Sequence, residues 1–129
     1  MTIAEGKWGD DADIGTAPFE AKGIYPAPFI KDAVGNVVTM TAATQNLYYV
    51  FKPYEGISVG QLVARQLDNI DGPDGSSDYL VVDVNADVEW RMPASLFRNS
   101  TEIRIWYKVF QNSVEIGVSD LGTYKIVHE

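Results

Sequence analysis

Apolar and polar residues alternate with a period of two along several short runs of this chain. In the clearest run, one face is formed by Ile103, Ile105, Tyr107 and Val109. The other face is formed by Arg104, Trp106, Lys108 and Phe110. Such alternation predicts β-strands, and no segment keeps a helical apolar period over the roughly ten residues that a stable helix needs. The pattern therefore predicts an all-β protein.

Turn-forming residues separate the other runs. Strands are expected at 47–52, 59–67, 79–84, 88–92 and 103–110, and in a last hairpin that ends near Ile126. Residues 68–78 are rich in Asp, Gly and Ser and are expected to form a loop. Pro93 to Phe97 are expected to form one helical turn, because proline is tolerated at the first helical position. Short strands separated by such turns are typical of a sandwich or barrel.

Composition divides the chain into two parts. Residues 1–23 are rich in Gly, Ala and Asp, and we expect them to form an extended N-terminal arm. Residues 24–129 carry the strand pattern and are expected to form one domain. The chain has no cysteine, so disulfide bonds are excluded and the fold depends on apolar contacts alone.

The charge balance argues against several partners. The formal net charge is −8, from 10 basic and 18 acidic residues, with no basic cluster. A negative surface repels phosphate backbones and anionic lipids, so we expect no nucleic acid partner. No run approaches the roughly 18 apolar residues of a membrane-spanning helix, so no membrane insertion is expected. Residues 1–8 do not resemble a secretory signal peptide, which predicts either a cytoplasmic location or leaderless export to the cell surface.

Several segments resemble the immunoglobulin-like repeat domain of large bacterial surface adhesins. They are Tyr25–Ile30, Ala33–Gly35, Pro53–Gly60, Met92–Leu96, Ile103–Val109 and Val118–Ser119. The resemblance covers residues 24–127, and Gln61 stands where those repeats usually have Asp. It implies an immunoglobulin-like antiparallel β-sandwich without catalytic residues. A shared sandwich does not imply a shared ligand.

The acidic loop is the candidate metal site. Its carboxylates belong to Asp68, Asp71, Asp74 and Asp78. Calcium binds six to eight oxygen ligands, of which such a loop would supply several, although the spacing does not match an EF-hand. The alternative is a solvated turn, because Asp, Asn, Gly and Ser favour turns for local reasons. No other cofactor is implied.

Aromatic residues are the candidate interaction residues. They are Trp8, Phe19, Tyr48, Trp106 and Phe110. If the face that carries Ile103 and Ile105 is the core, Trp106, Phe110 and Tyr48 lie outside and mark an interaction surface. The alternative is that the strand tryptophan packs in the core or at its rim.

The arm carries the apolar residues Ile3, Trp8, Ile14 and Phe19. Because sandwiches leave open sheet edges, one hypothesis is that the arm packs on the edge of another copy and so links domains. The alternative is a disordered leader, or an arm that covers an edge of its own domain.

These observations favour a protein that is not an enzyme. The single histidine, His128, lies next to the terminus, where chains usually fray. A Ser-His-acid relay needs a histidine held rigidly beside a serine, and nothing in the sequence indicates this. The expected function is a binding or assembly module of a bacterial surface or secreted structure, which self-associates through its arm and sheet edges or binds another protein. The alternative is a small lectin-like protein that binds glycans, with calcium assisting.

Overall fold

A computed structural model describes residues 23–129, which form nine strands and one short 3₁₀ helix. The strands are β1 (Phe29–Ile30), β2 (Val37–Met40), β3 (Asn46–Phe51), β4 (Leu62–Ile70), β5 (Gly75–Leu80), β6 (Val88–Pro93), β7 (Glu102–Gln111), β8 (Val114–Val118) and β9 (Gly122–His128). The 3₁₀ helix, Ala94–Phe97, directly follows Pro93 and confirms the predicted helical turn. Within residues 23–129, no helix has the length and apolar character needed to cross a bilayer.

The strands form two sheets that pack as a sandwich, which confirms the predicted all-β class. A six-stranded sheet has the order β2-β9-β7-β4-β5, and β8 also pairs with β7. A three-stranded sheet has the order β1-β3-β6. Strand β7 pairs with β4 along its length, while β9 and β8 share its other edge. The larger sheet is mixed, because β9 pairs with β2 in parallel.

The core lies between the two sheets, where alternate residues of each strand point inward. One buried cluster contains Ile30, Val38, Met40, Leu47, Tyr49, Leu67, Met92, Ala94, Phe97, Ile103, Ile105, Tyr124 and Ile126. A second contains Phe51, Tyr54, Val63, Val81, Val88, Tyr107 and Val109. The predicted face of Ile103, Ile105, Tyr107 and Val109 is therefore the inward face of β7. Burial of these side chains is the main stabilising contribution, since the chain has no disulfide.

The prediction of a loop at residues 68–78 is wrong. Strand β4 continues to Ile70, and β5 begins at Gly75 and pairs back along β4, so this segment is a β-hairpin. The chain reverses at Asp71, whose φ of 65° is left-handed, a conformation that Asp tolerates better than most residues. Gly75 to Asp78 lack apolar alternation because their pairing with β4 comes from the backbone ladder. The expected strand at 79–84 is also wrong: only Tyr79 and Leu80 are in a strand, as the last two residues of β5.

Candidate interaction surface

The face of β5, β4 and β7 that is turned away from the three-stranded sheet is termed here the outer face. The strand register places Leu80, Leu62 and Phe110 side by side across these strands. Their chain neighbours Tyr79, Val63 and Val109 belong to or pack against the second core cluster, so this row points outward. Leu80 is 57% exposed, and Leu62 and Phe110 are half-buried. We call these three residues the apolar row.

The apolar row borders an open cleft of about 610 Å³. The lining residues are Gly60, Leu62, Ala64, Asp78, Phe110, Asn112 and Ser113. Asn112 and Ser113 form the turn between β7 and β8, and both have positive φ angles, of 52° and 67°. A two-residue turn in which both residues have positive φ matches the right-handed twist of the two strands that it joins. The turn therefore holds one wall of the cleft next to Phe110.

Exposed apolar side chains extend this surface beyond the row. Val82 is 68% exposed and follows Leu80 with the same orientation, since Val81 between them is buried. Val59 is also 68% exposed, and its neighbour Gly60 donates from its N–H to the carbonyl of Val81 at 3.0 Å. Contiguous exposed apolar surface marks an interaction site more often than scattered single residues do.

Among the described strands, β5 is an edge of the six-stranded sheet. One side of β5 pairs with β4, and no strand within residues 23–129 pairs with its other side, which is called here the open edge. An open edge is a template on which a strand of another chain can pair. The apolar row ends at this edge with Leu80, so an added strand would extend both the ladder and the apolar surface.

The prediction that Trp106 offers an exposed aromatic surface is wrong. Its side chain is fully buried, although it lies on the outer face with Arg104 and Lys108. Its backbone carbonyl accepts a hydrogen bond of 2.5 Å from the hydroxyl of Tyr49, a residue of the opposite sheet. Strand β7 therefore has buried residues on both faces at this position.

Tyr48 and Phe110 lie on different sheets and do not form one site. Tyr48 is a half-buried residue of β3, and the Lys31 ammonium lies 5.4 Å from its ring centroid. A smaller cleft of about 210 Å³ beside Tyr48 is lined mostly by polar residues, among them Asp32, Thr44 and Asn46. The predicted interaction residues Trp8 and Phe19 lie outside the described residues.

The four predicted calcium ligands are not brought together. The Asp74 carboxylate accepts a hydrogen bond of 2.9 Å from the N–H of Asn69, and that of Asp71 accepts one of 3.2 Å from the Thr101 hydroxyl. Asp68 lies 3.6 Å from the guanidinium of Arg104. Across residues 23–129, no group of three or more His, Cys, Asp or Glu side chains is arranged to hold a metal ion.

The β4–β5 hairpin accounts for this separation. Asp78 lies on β5 at the cleft, whereas Asp71 and Asp74 lie in the turn at the other end of the hairpin. Only Asp68 and Asp74 are close neighbours. Burial, followed by the negative charge of Asp74, raises the pKa of Asp68, and Arg104 opposes this shift.

A buried cation was missed by the sequence analysis. The Arg65 side chain points into the sandwich, where its guanidinium lies 5.4 Å from the Trp90 ring centroid and 5.7 Å from that of Tyr79. It donates hydrogen bonds to the Ser77 carbonyl at 3.2 Å and to the Ser77 hydroxyl at 2.7 Å. Burial lowers the pKa of Arg65. The sequence indicated this burial only through alternation: Arg65 lies two residues from Val63 and two from Leu67, and every second residue of β4 faces the core.

Comparison of this chain with protein-family models, curated proteins and solved structures finds no match. The resemblance to adhesin repeats therefore stays a prediction. The features that bear on function are the outer face and the edge of β5.

Proposed function

We propose that this protein is a non-enzymatic binding or assembly module of a bacterial surface or secreted structure, which self-associates through its sheet edges and N-terminal arm. The observation that carries the proposal is the apolar row of Leu80, Leu62 and Phe110, which ends at the open edge of β5. Another copy of the chain offers the same row and the same edge. Pairing of two β5 edges about a twofold axis would join them into one surface.

The charge distribution supports contact between apolar surfaces. Among the lining residues within 23–129, Asp78 alone carries a carboxylate, and the three residues of the apolar row carry no charge. Burial of an exposed leucine against a partner contributes about 1.5–3 kcal/mol, so several such residues make a substantial contribution to association. The edge of β5 adds directional backbone hydrogen bonds.

The surroundings of His128 support a non-enzymatic role. Its Nε2 atom lies 2.8 Å from the backbone carbonyl of Ser100, and the Ser100 hydroxyl donates to the side chain of Asn69. The imidazole therefore contacts a carbonyl oxygen instead of a nucleophilic hydroxyl. General-base activation requires a hydrogen bond between the base and the nucleophile.

The test is the solution mass of the whole chain by light scattering over a concentration series. We expect the mass to rise above the 14.3 kDa of one chain. Leu80→Glu should keep the mass at 14.3 kDa, because it places a charge at the edge while altering a side chain that is 57% exposed. The matched control is Val34→Glu, which changes a turn residue that is 82% exposed and should assemble like the unaltered chain.

Two results would contradict the proposal. One is a mass of 14.3 kDa at every concentration of the unaltered chain. The other is assembly of Leu80→Glu equal to that of Val34→Glu, which would place the contact elsewhere.

The glycan-binding alternative is supported by the cleft beside Tyr48. An aromatic ring next to carboxylate, amide and hydroxyl groups provides both stacking and hydrogen bonding, the contacts that orient a polar ligand. A glycan screen with and without a chelator tests it. Binding that is lost in Tyr48→Ala would favour this alternative, and loss on chelation would show that calcium assists. No binding to any glycan would favour assembly.

A further inference from the structure

Three segments of the chain border a further open cleft. They are residues 23–26, residues 53–55 after β3, and Asp120 between β8 and β9. The volume of this cleft is about 500 Å³, within the roughly 300–1,000 Å³ of sites that bind small molecules. We call it the tyrosine cleft, because Tyr25 and Tyr54 line it. It shares no lining residue with the cleft beside the apolar row, so it is independent of self-association through β5.

Packed tyrosines form the aromatic wall of the tyrosine cleft. Tyr25 is half-buried, and its ring centroid lies 4.7 Å from that of the buried Tyr54. Both rings also pack on Tyr107, whose ring centroid lies 6.2 Å from that of Tyr25 and 6.0 Å from that of Tyr54. Pro26 and Pro53 add rigid apolar surface beside them. Because the rings are held by one another, the aromatic wall is formed before any ligand binds.

Two carboxylates give the tyrosine cleft a negative charge. They belong to Glu55, which is exposed, and to Asp120, which is half-buried. Among the lining residues within 23–129, none is Lys, Arg or His. The ammonium of Lys52, which precedes the cleft in the chain, lies 3.2 Å from the carboxylate of Asp87. The two lining carboxylates therefore favour a positively charged ligand.

A tight turn holds Glu55. The Ile57 N–H donates to the Tyr54 carbonyl at 3.1 Å, and Gly56, the third residue of this turn, has a φ of 87°. Glycine adopts this left-handed region without the steric cost of a Cβ atom. Glu55 is therefore fixed at the second position of the turn, directly after Tyr54.

Backbone pairing holds Asp120. Its N–H donates to the Tyr25 carbonyl at 2.8 Å, and its carboxylate accepts a hydrogen bond of 2.6 Å from the Gly23 N–H. Burial, followed by the phenols of Tyr54 and Tyr25 and the carboxylate of Asp120, raises the pKa of Tyr107. The negative charge of Asp120 therefore acts on the packed tyrosines as well as on the cleft.

We propose that the tyrosine cleft binds an alkylammonium group. Its charge faces the two carboxylates, and its alkyl groups contact the two lining tyrosine rings. A cation within about 6 Å of an aromatic ring is attracted by the negative face of the ring, which is how aromatic sites bind quaternary ammonium groups. The carboxylates add Coulombic attraction, and the net charge of −8 raises the local concentration of cations.

The test is a titration of the whole chain, labelled with carbon-13 tyrosine, by choline chloride. The readout is the shift of the Tyr25 and Tyr54 ring resonances in NMR spectra, assigned by single Tyr→Phe changes. Choline chloride replaces sodium chloride, so the ionic strength stays constant. We expect saturable shifts of both resonances. The neutral alcohol that has carbon in place of the choline nitrogen should bind about tenfold more weakly.

A matched pair of variants tests the role of charge. Glu55→Gln removes one lining carboxylate from an exposed side chain and should weaken choline binding about threefold. Glu129→Gln removes the same charge from another exposed side chain. The seven residues of β9, which extend about 23 Å, separate Glu129 from Asp120. This control should therefore bind choline like the unaltered chain.

A second titration, with lysine blocked at its α-amino and carboxyl groups, identifies the source of the ammonium group. If blocked lysine binds more tightly than choline, the ligand is a lysine side chain of another polypeptide. The reverse order identifies a free quaternary ammonium compound.

Three results would overturn the inference. One is that choline leaves the Tyr25 and Tyr54 resonances unmoved. Another is that the neutral alcohol binds as tightly as choline. The third is equal choline binding by Glu55→Gln and Glu129→Gln, which would place the cation outside the tyrosine cleft.

Discussion

Raising the pH above 10 is expected to destabilise the fold through three packed tyrosines, of which Tyr54 and Tyr107 are buried and Tyr25 is half-buried. The Tyr25 ring centroid lies 4.7 Å from that of Tyr54 and 6.2 Å from that of Tyr107. Burial raises the pKa of each of these phenols, and it raises the pKa of Tyr54 to about 12. The Tyr54 hydroxyl donates a hydrogen bond of 2.7 Å to the side-chain carbonyl of Gln61, which requires the protonated phenol.

The sign of the effect follows from proton binding. A tyrosine in the unfolded chain loses its proton near pH 10, whereas folded Tyr54 keeps its proton until about pH 12. Its contribution to stability is therefore complete below pH 10 and is lost as the pH rises from 10 towards 12. At pH 11 the loss from Tyr54 alone is about 1.4 kcal/mol, and Tyr25 and Tyr107 add to it.

The assay is urea unfolding at pH 9 and pH 11, at a concentration where the chain is a single copy. Tyr54→Phe removes one titrating phenol, so its loss of unfolding free energy between the two pH values should be smaller by about 1.4 kcal/mol. Tyr48→Phe, at a half-buried ring of β3, is the matched control and should lose as much as the unaltered chain. The reasoning is refuted if Tyr54→Phe loses as much free energy as the control.

Two further predictions concern close contacts. Arg65→Met should change the unfolding free energy by less than about 1.5 kcal/mol, because methionine fills the space between Tyr79 and Trp90 without a buried charge. Arg65→Ala should lower the unfolding free energy by about 3 kcal/mol through the cavity it leaves. Equal losses for the two variants in urea unfolding would contradict this. Gly23→Ala should cost about 1–3 kcal/mol in thermal unfolding, because its Cβ would lie 2.2 Å from the Ser119 carbonyl carbon. Gly75→Ala, whose nearest contact would be 3.7 Å, is the control, and an equal loss would exclude the steric reason.

The strand pattern was predictable where burial follows a local rule. The ten-residue strand β7 alternates in burial except at Trp106, and its inward face was identified correctly from the sequence. The 3₁₀ turn could be predicted from Pro93, because the fixed φ of proline suits the start of a helix. These features depend on residues close together in the chain.

The interaction surface depends on register, which the sequence did not reveal. Leu62 and Leu80 become neighbours only because the β4–β5 hairpin aligns them, and the hairpin has no apolar alternation in Gly75 to Asp78. The same hairpin separates the aspartates that were grouped as calcium ligands. Tyr48 and Phe110 are both half-buried aromatic residues, and the strand pattern cannot assign them to opposite sheets.

The burial of Trp106 on the outer face of β7 could not be predicted from neighbouring residues in the sequence either. Alternation indicates which residues share a face, and it does not indicate whether another segment covers that face. Trp106 shows this difference, because its face was assigned correctly and its exposure was not.

The most direct test of assembly through β5 is backbone hydrogen exchange of the whole chain, compared at low and high concentration. We expect slower exchange at high concentration to be confined to the amides of Gly75–Leu80 that face away from β4, and to the residues that border the cleft. Unchanged exchange in β5, together with slower exchange at β6 or β1 of the three-stranded sheet, would contradict it and move the contact to the other side of the sandwich.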